Sequence, residues 1–220
     1  MNMTIGIIGV GHLASYMVDG LMKADNPPTI ILSPRGADNS ARLAAKYDLR
    51  IANSNDAVVE GSDAVLLATR PGDLLDTITG LPWRDGQTAI SVAAGVALSG
   101  LQAAVSPATA VRTLPITAAK ICESPTCLFP ENDVARAVFD LLGSVHVFDD
   151  EETYELASIQ GVIFSVFHAG IQSIAEWMEE PGLDKDTARE LAARALRATG
   201  GMVLAHPEND FDHMVNEYAT

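Results

Sequence analysis

The sequence has few basic residues. Only 14 lysines and arginines stand against 29 aspartates and glutamates in 220 residues, which gives a formal net charge of −15. A protein that binds nucleic-acid backbones needs a basic surface, and no run of lysines or arginines is present to supply one. The charge balance therefore argues against a nucleic-acid partner, and any anion site must be local.

Cysteine is also scarce, since Cys122 and Cys127 are the only two. They share a short proline-containing segment, and the scattered histidines include no partner that would complete a metal-ligand set. The N-terminal residues are typical of a strand and not of a secretory signal. We therefore predict a cytoplasmic protein with a reduced cysteine pair and no metal site, with a disulfide or metal clip as the alternative.

Long uninterrupted apolar runs are absent as well. The most apolar stretch, residues 162–178, contains Ser165, His168, Gln172, Ser173 and Glu176. A transmembrane helix needs about 20 predominantly apolar residues, so this stretch is too short and too polar to span a bilayer. We expect no membrane contact.

The same stretch predicts a helix with apolar residues on nearly every face, which the surface of a small helical domain could not tolerate. Another surface must cover it. A second copy of the chain would do so across a two-fold axis, which predicts a homodimer or a higher oligomer built from dimers. The alternative is burial against the first domain of the same chain.

What the sequence does contain is the alternation typical of a parallel sheet. From Thr4 to about Val147, short β-branched runs alternate with helical patterns at 12–23 and 40–47. The predicted strands are TIGIIG, TIILS, AVLLA at 64–68, TAISV at 88–92 and AVRT at 110–113. Continuous apolar runs indicate strands that are buried on both faces. The prediction is an α/β fold with a Rossmann-type doubly wound parallel sheet.

After Asp149 and Asp150 no further strand is predicted. Helical patterns cover Glu151 to Glu179, residues 187–204 and a short segment from Asp210. We therefore predict two domains: residues 1–148 would bind a dinucleotide, and residues 149–220 would form a small all-helical domain for dimerisation and substrate binding.

The segment Gly9-Val10-Gly11-His12-Leu13-Ala14 follows the first predicted strand and opens a helix. In this G-x-G-x-x-A pattern, the first glycine makes a tight turn, the second lets a pyrophosphate approach, and the alanine allows close helix packing. The diphosphate would lie on the free N–H groups of the helix. His12 either touches a phosphate or is simply tolerated at the helix start, and the alternative for the whole motif is a glycine-rich turn without a ligand.

The end of the second predicted strand indicates which nicotinamide cofactor would bind. An NAD site usually has Asp or Glu there for the ribose 2′-hydroxyl. This sequence has Ser33-Pro34-Arg35, and an arginine suits a 2′-phosphate by charge and by its forked donors. The prediction is NADP(H), with NAD(H) as the alternative. For Arg35 itself, the alternative is a solvated loop arginine without a ligand.

In their order along the chain, several segments resemble pyrroline-5-carboxylate reductase. They are TIGIIGVGHLA, SPR at 33–35, LLATRP at 66–71, SVAAGV at 91–96 and VRTLP at 111–115, followed by an all-helical end. The resemblance covers nearly the whole chain. It implies an NAD(P)H-binding Rossmann domain, an interlocked dimer, and hydride transfer to the C=N bond of a cyclic imino acid in proline biosynthesis.

The resemblance also implies roles for individual residues. Gly9, Gly11, Ala14, Ser33 and Arg35 would hold the phosphates and adenosine end of the cofactor, and Asn55 would lie near the adenosine. Ala68, Arg70 and Pro71 would line the nicotinamide side, with Arg70 where the family has lysine. Ala93, Ala94 and Gly95 match the A-A-G turn of the family.

Departures from the family lie on the substrate side. Leu114-Pro115-Ile116-Thr117-Ala118 replaces M-P-N-T-P, and residues 159–163 replace G-S-G-P-A. The family continues past a segment like NEYAT into P-G-G-T-T, whereas this sequence ends at Thr220, so the expectation is either a truncated chain or the absence of that part of the pocket. Thr117 and Gln160 are the nearest polar candidates for orienting a substrate, although a loop threonine and a helix-start glutamine need no such role.

The expected function is an NADPH-dependent reductase of a cyclic imino acid. A cyclic imine is readily protonated, and its iminium carbon accepts hydride without an elaborate base, so positioning would supply most of the catalysis. The alternatives are a reductase of a different small substrate and a non-catalytic NADP-binding regulatory protein.

Overall fold

A computed structural model describes residues 3–218. The chain divides into two compact units, Met1–Gly161 and Val162–Thr220. The first contains a sheet with helices on both faces, and the second is helical.

The first unit consists of alternating strands and helices. The strands are β1 Thr4–Ile8, β2 Thr29–Leu32, β3 Arg50–Ile51, β4 Ala64–Leu67, β5 Thr88–Ser91, β6 Thr109–Leu114, β7 Thr126–Phe129 and β8 Val145–Val147. The helices are α1 His12–Leu21, α2 Ala37–Tyr47, α3 Asn55–Glu60, α4 Pro71–Ile78, α5 Leu98–Val105, α6 Asp133–Phe139 and α7 Glu151–Ala157, with a 3₁₀ helix at Thr117–Ile121.

Within the described residues the strands form one sheet in the order β3-β2-β1-β4-β5-β6-β7-β8. Neighbouring strands are parallel except for β6 and β7, which are antiparallel. The order 3-2-1-4-5-6 is that of the Rossmann fold. The predicted doubly wound sheet is therefore confirmed.

Side-chain alternation along the central strands fills the layers on both faces of the sheet. In β4, Ala64 and Leu66 join one buried apolar cluster, whereas Val65 and Leu67 join the other. All four residues of this strand are buried. This two-sided burial explains why the strand sequence is a continuous apolar run.

The strand order changes direction between β1 and β4, because β2 and β3 lie on one side of β1 and β4 lies on the other. Ile8 pairs with Leu67 in the parallel register, and the Ala68 N–H donates to the Ile8 carbonyl at 2.8 Å. The segments that follow these two strands therefore lie side by side at the carboxyl edge of the sheet. Open α/β sheets bind their ligands at such a switch point.

The boundary between the compact units differs from the predicted one at residue 148. Helix α7 packs on the sheet unit through Tyr154, whose ring lies 6.2 Å from the ring of Phe129 and 6.2 Å from that of Phe148. The predicted helix over Glu151–Glu179 is also two helices, because a turn at residues 158–159 separates α7 from α8. The assignment of a dimerisation role to residues 149–220 stays a prediction.

The second unit contains most of α8 (Gln160–Glu179), together with α9 (Lys185–Ala205) and α10 (Phe211–Tyr218). Its buried cluster consists of Ala175, Ala188 and Ala192, with Ile171 and Met178 packed against it. Large apolar side chains remain exposed on the same helices, and Trp177 is 71% exposed. Three alanines bury little apolar area, so these helices need further cover.

An 18-residue window within Glu151–Glu179 reaches a mean hydropathy of 1.2, which meets a length and composition criterion for a membrane span. It is the one such run in the part of the chain that the structure describes. A soluble protein's apolar core helix meets the same criterion, so this finding does not by itself indicate a membrane protein.

Candidate functional site

The glycine loop between β1 and α1 has the geometry that its sequence predicts. Gly9 adopts φ +92°, and a Cβ there would lie 2.7 Å from the backbone of Ala68 and Thr69. Only glycine fits this turn without displacing the β4 backbone. The Gly11 N–H then donates to the Gly9 carbonyl at 3.0 Å, which closes the turn.

Open space lies beside Gly11, where an added Cβ would meet no atom within 4 Å. Helix α1 begins immediately afterwards at His12, and no side chain caps it. The first-turn N–H groups are therefore available to an anion. Ala14 is buried against the core, Leu13 is half-buried and His12 is exposed. The loop thus offers the cradle that a diphosphate requires.

Ser33 supports the glycine loop from below. Its side chain is fully buried, and its hydroxyl accepts a hydrogen bond from the Gly9 N–H at 3.2 Å. The Ser40 hydroxyl donates to the Ser33 carbonyl at 3.0 Å. The structure therefore places this hydroxyl against the backbone of the loop, and its predicted contact with a cofactor stays a prediction.

Two residues at the start of α2 also hold the glycine loop, the N-cap Gly36 and the first-turn Asn39, and the sequence did not reveal them. Gly36 has φ +88°, and a Cβ there would lie 2.8 Å from the Val10 carbonyl oxygen. The Asn39 side-chain amide donates to that same oxygen at 3.0 Å. Both contacts cross between elements far apart in sequence, so only the folded chain brings them together.

Arg35 and Asn55 line one open, polar cleft, together with Asp73, Asp76 and Thr77. Arg35 is exposed there, and Asn55 is half-buried at the start of α3. The sequence predicted the first two residues to lie near the adenosine end of a cofactor, and the structure brings them together. The two carboxylates were missed. Their spacing on the α4 helix was the available signal.

The segments after β4 and β5 approach the glycine loop along the sheet edge. Ala68 is half-buried, while Arg70 and Pro71 are exposed at the start of α4. After β5, Ala94 and Gly95 are exposed, and Gly95 adopts φ +72° with open space beside it. These residues therefore lie where a ligand bound at the glycine loop could extend.

Gln160 attaches to the end of β6. Its amide nitrogen donates to the Leu114 carbonyl at 2.9 Å and to the Cys127 sulfur at 3.4 Å. Burial raises the pKa of the Cys127 thiol, so this group stays neutral. The amide nitrogen of Gln160 is thus engaged in two contacts within the protein. Thr117, two residues beyond Pro115, is exposed at the start of the 3₁₀ helix.

Comparisons with known proteins support the resemblance that the sequence predicted. A family model described as NADP oxidoreductase, coenzyme F420-dependent, matches residues 4–95. A pyrroline-5-carboxylate reductase of Bacillus spizizenii is 26% identical over 213 residues, which cover 91% of this chain and 72% of that protein. The chain is therefore similar in sequence to pyrroline-5-carboxylate reductases over nearly its whole length.

Solved structures share the fold. The pyrroline-5-carboxylate reductase of Streptococcus pyogenes has a TM-score of 0.83 at 24% identity, covering 100% of this chain and 86% of that one. The Plasmodium falciparum enzyme, solved with NADP bound, has a TM-score of 0.85 at 16% identity, covering 100% and 85%. The architecture described above is thus the one found in these enzymes.

Proposed function

We propose that this chain, a relative of the pyrroline-5-carboxylate reductases, is an NADPH-dependent oxidoreductase that reduces the C=N bond of a cyclic imino acid in proline biosynthesis. The observation that carries the proposal is the open cradle beside Gly11, at the switch point of a Rossmann sheet. The similarity to these reductases over 91% of the chain adds the reaction class.

Several parts of the sheet edge would hold the cofactor. The first-turn N–H groups of α1 would bind the diphosphate, Arg35 the 2′-phosphate, and the residues around Ala68 and Gly95 the nicotinamide side. NADPH supplies a hydride when bound. The protein would hold the nicotinamide so that one face of its ring meets the substrate.

Polar groups near the end of β6 would orient the substrate. A protonated cyclic imine accepts hydride at carbon, so the site needs orientation more than a strong base. The Gln160 side-chain oxygen can accept from an iminium N–H, because its nitrogen is held by Leu114. Thr117 carries a hydroxyl that can donate to the substrate carboxylate.

A second function, reduction of a different small substrate, is favoured by one observation. The Gln160 amide hydrogens are already donated to Leu114 and Cys127. They are therefore unavailable to a substrate carboxylate. With Thr117 left as the donor for a carboxylate, the site would also suit a small substrate without that group, and a regulatory protein that binds NADPH without turnover is the remaining alternative.

We also propose a cytoplasmic homodimer, or an oligomer built from dimers, with no nucleic-acid or membrane partner. Both cysteines are free, as a reducing compartment would keep them. The exposed apolar side chains of α8 include Val162, Val166 and Phe167. A second copy would cover them and complete the small core of the helical unit, with Trp177 as an interface anchor.

The proposed reaction is tested by following NADPH consumption with a panel of cyclic imines and keto acids. We expect turnover with pyrroline-5-carboxylate or a related imine and none with the keto acids. A Gly11→Val variant is the matched control, since its side chain would fill the diphosphate cradle and abolish turnover. NADPH binding without turnover on any substrate would favour the regulatory protein.

A further inference from the structure

A buried arginine lies on β6, away from the residues assigned above. Arg112 is 1% exposed, and its guanidinium donates to carboxylate oxygens of Glu151 and Glu155, both on α7. The ring of Tyr154 packs on the same group, 4.6 Å from its central carbon. A buried charge requires such partners, so the cluster fastens α7 to the sheet.

Glu151 makes a second contact that concerns the β5–α5 loop. Its Oε1 atom, which accepts from Arg112, also accepts from the Leu98 N–H at 2.8 Å. Leu98 is the first residue of α5, directly after the loop that contains Ala94 and Gly95. Bonds from Leu98 and Arg112 hold the pKa of this carboxyl below its usual range, so it stays ionised near neutrality.

Helix α7 therefore connects two sides of the candidate site. At its first residue, Glu151 holds the end of the β5–α5 loop, where the nicotinamide side is proposed to lie. Beyond its last residue, the turn at 158–159 leads to Gln160, which bonds to the Leu114 carbonyl at the end of β6.

We infer that Glu151 is a positioning residue for the reduction, because it fixes the β5–α5 loop through the Leu98 N–H while it is itself held by Arg112. This inference rests on the proposed function, since the loop matters only where a nicotinamide lies against it. Glu155 pairs with the same arginine but from the next turn of α7, so its role is to hold the helix.

The two glutamates make a matched pair for the test. Glu151→Ala and Glu155→Ala each remove one carboxylate from Arg112, but only the first removes the acceptor of the Leu98 N–H. We expect Glu151→Ala to lower kcat by roughly tenfold to a hundredfold, the scale of a misplaced reacting group. Glu155→Ala should retain kcat to within about threefold, and Glu151→Gln, which keeps an acceptor oxygen, should restore most of the loss.

A second variant removes the donor and leaves the cluster intact. Leu98→Pro lacks the N–H group, and proline is well accepted at the first position of a helix. The preceding Ala97 already has φ −63° and ψ 142°, which suit a residue before proline. We expect this variant to reproduce the fall in kcat, with a changed deuterium isotope effect for the transferred hydride. Leu98→Ala is its control, because it loses the same packing on the core but keeps the N–H, and it should retain kcat to within about threefold.

Two results would overturn the inference: equal losses of kcat in Glu151→Ala and Glu155→Ala, or full kcat in Leu98→Pro. Hydrogen exchange at the amides of residues 94–98 keeps the test separate from the proposed reaction. If the parent protein reduces no imine, the proposed function fails. Faster exchange in Glu151→Ala than in Glu155→Ala would still support the positioning of the loop, and equal exchange would refute it.

Discussion

The Arg35 side chain provides the sharpest test of cofactor choice. Arg35→Ala removes the one basic group among the side chains that line the cleft with Asn55, Asp73, Asp76 and Thr77. A hydrogen bond to a charged group contributes roughly 1.5–3 kcal/mol. Because Arg35 is exposed, solvent screening reduces its share to the lower end of that range, about 1.5 kcal/mol or roughly tenfold in Kd.

Fluorescence titration with NADPH and NADH measures this effect directly. We expect Arg35→Ala to weaken NADPH about tenfold and to leave NADH within about twofold. Raising the salt concentration should narrow the difference between the parent and the variant, because the pairing occurs at an exposed site. Asp73→Asn removes a negative charge that would repel the 2′-phosphate in the same cleft. It should therefore strengthen the binding of NADPH and leave that of NADH unchanged.

Ser33→Ala is the control with the opposite signature. It leaves the half-buried Gly9 N–H without its acceptor, which costs about 1 kcal/mol in the loop that both cofactors share. NADPH and NADH should therefore weaken together. If Arg35→Ala also weakened both cofactors equally, the assignment of Arg35 to the 2′-phosphate would be wrong.

Three further predictions concern stability and the glycine loop. Gly9→Ala should destabilise the protein in urea unfolding, because its methyl meets backbone at 2.7 Å, whereas Gly11→Ala should keep its stability and lose NADPH affinity. Tyr154→Phe should leave the thermal midpoint unchanged or raised, since the tyrosine hydroxyl is buried without a partner. Burial of Asp19 opposes its ionisation. Hydrogen bonds from Lys46 and Tyr47 outweigh this effect of burial and lower the pKa of Asp19. Because the pKa is depressed in the folded state, the parent should have a larger free energy of unfolding than Asp19→Asn. This difference should be constant above about pH 5 and should shrink as the pH falls below about 4.

Much of the first unit was predictable from local sequence. The strands β1, β2, β4, β5 and β6 are apolar runs, and each is flanked by buried layers that select such runs. Strand β3 is two residues long and exposed at Arg50 and Ile51, so it carries no such signal. The break between α7 and α8 was also missed, because Ser158 and Ile159 do not interrupt an apolar pattern strongly enough.

The site divides in the same way between local and distant determinants. Gly9 and Gly11 were predictable because a short motif encodes the turn and the open space. The contact of Glu151 with Leu98 joins residues 53 positions apart, and no spacing rule relates them. The hydrogen bond between the Ser33 hydroxyl and the Gly9 N–H could not be predicted, for a related reason. Whether a strand-end hydroxyl faces inward depends on the neighbouring glycine loop.

The hydrogen bonds behind the glycine loop determine how cofactor binding divides between enthalpy and entropy. Ser33 holds the Gly9 N–H and Asn39 holds the Val10 carbonyl, so the loop keeps its bent form before any ligand arrives. Little backbone freedom remains to be lost on association, and more of the interaction energy is retained as affinity. Loss of the Asn39 hydrogen bond would therefore make the entropy of cofactor binding less favourable, while the contacts to the diphosphate would stay unchanged.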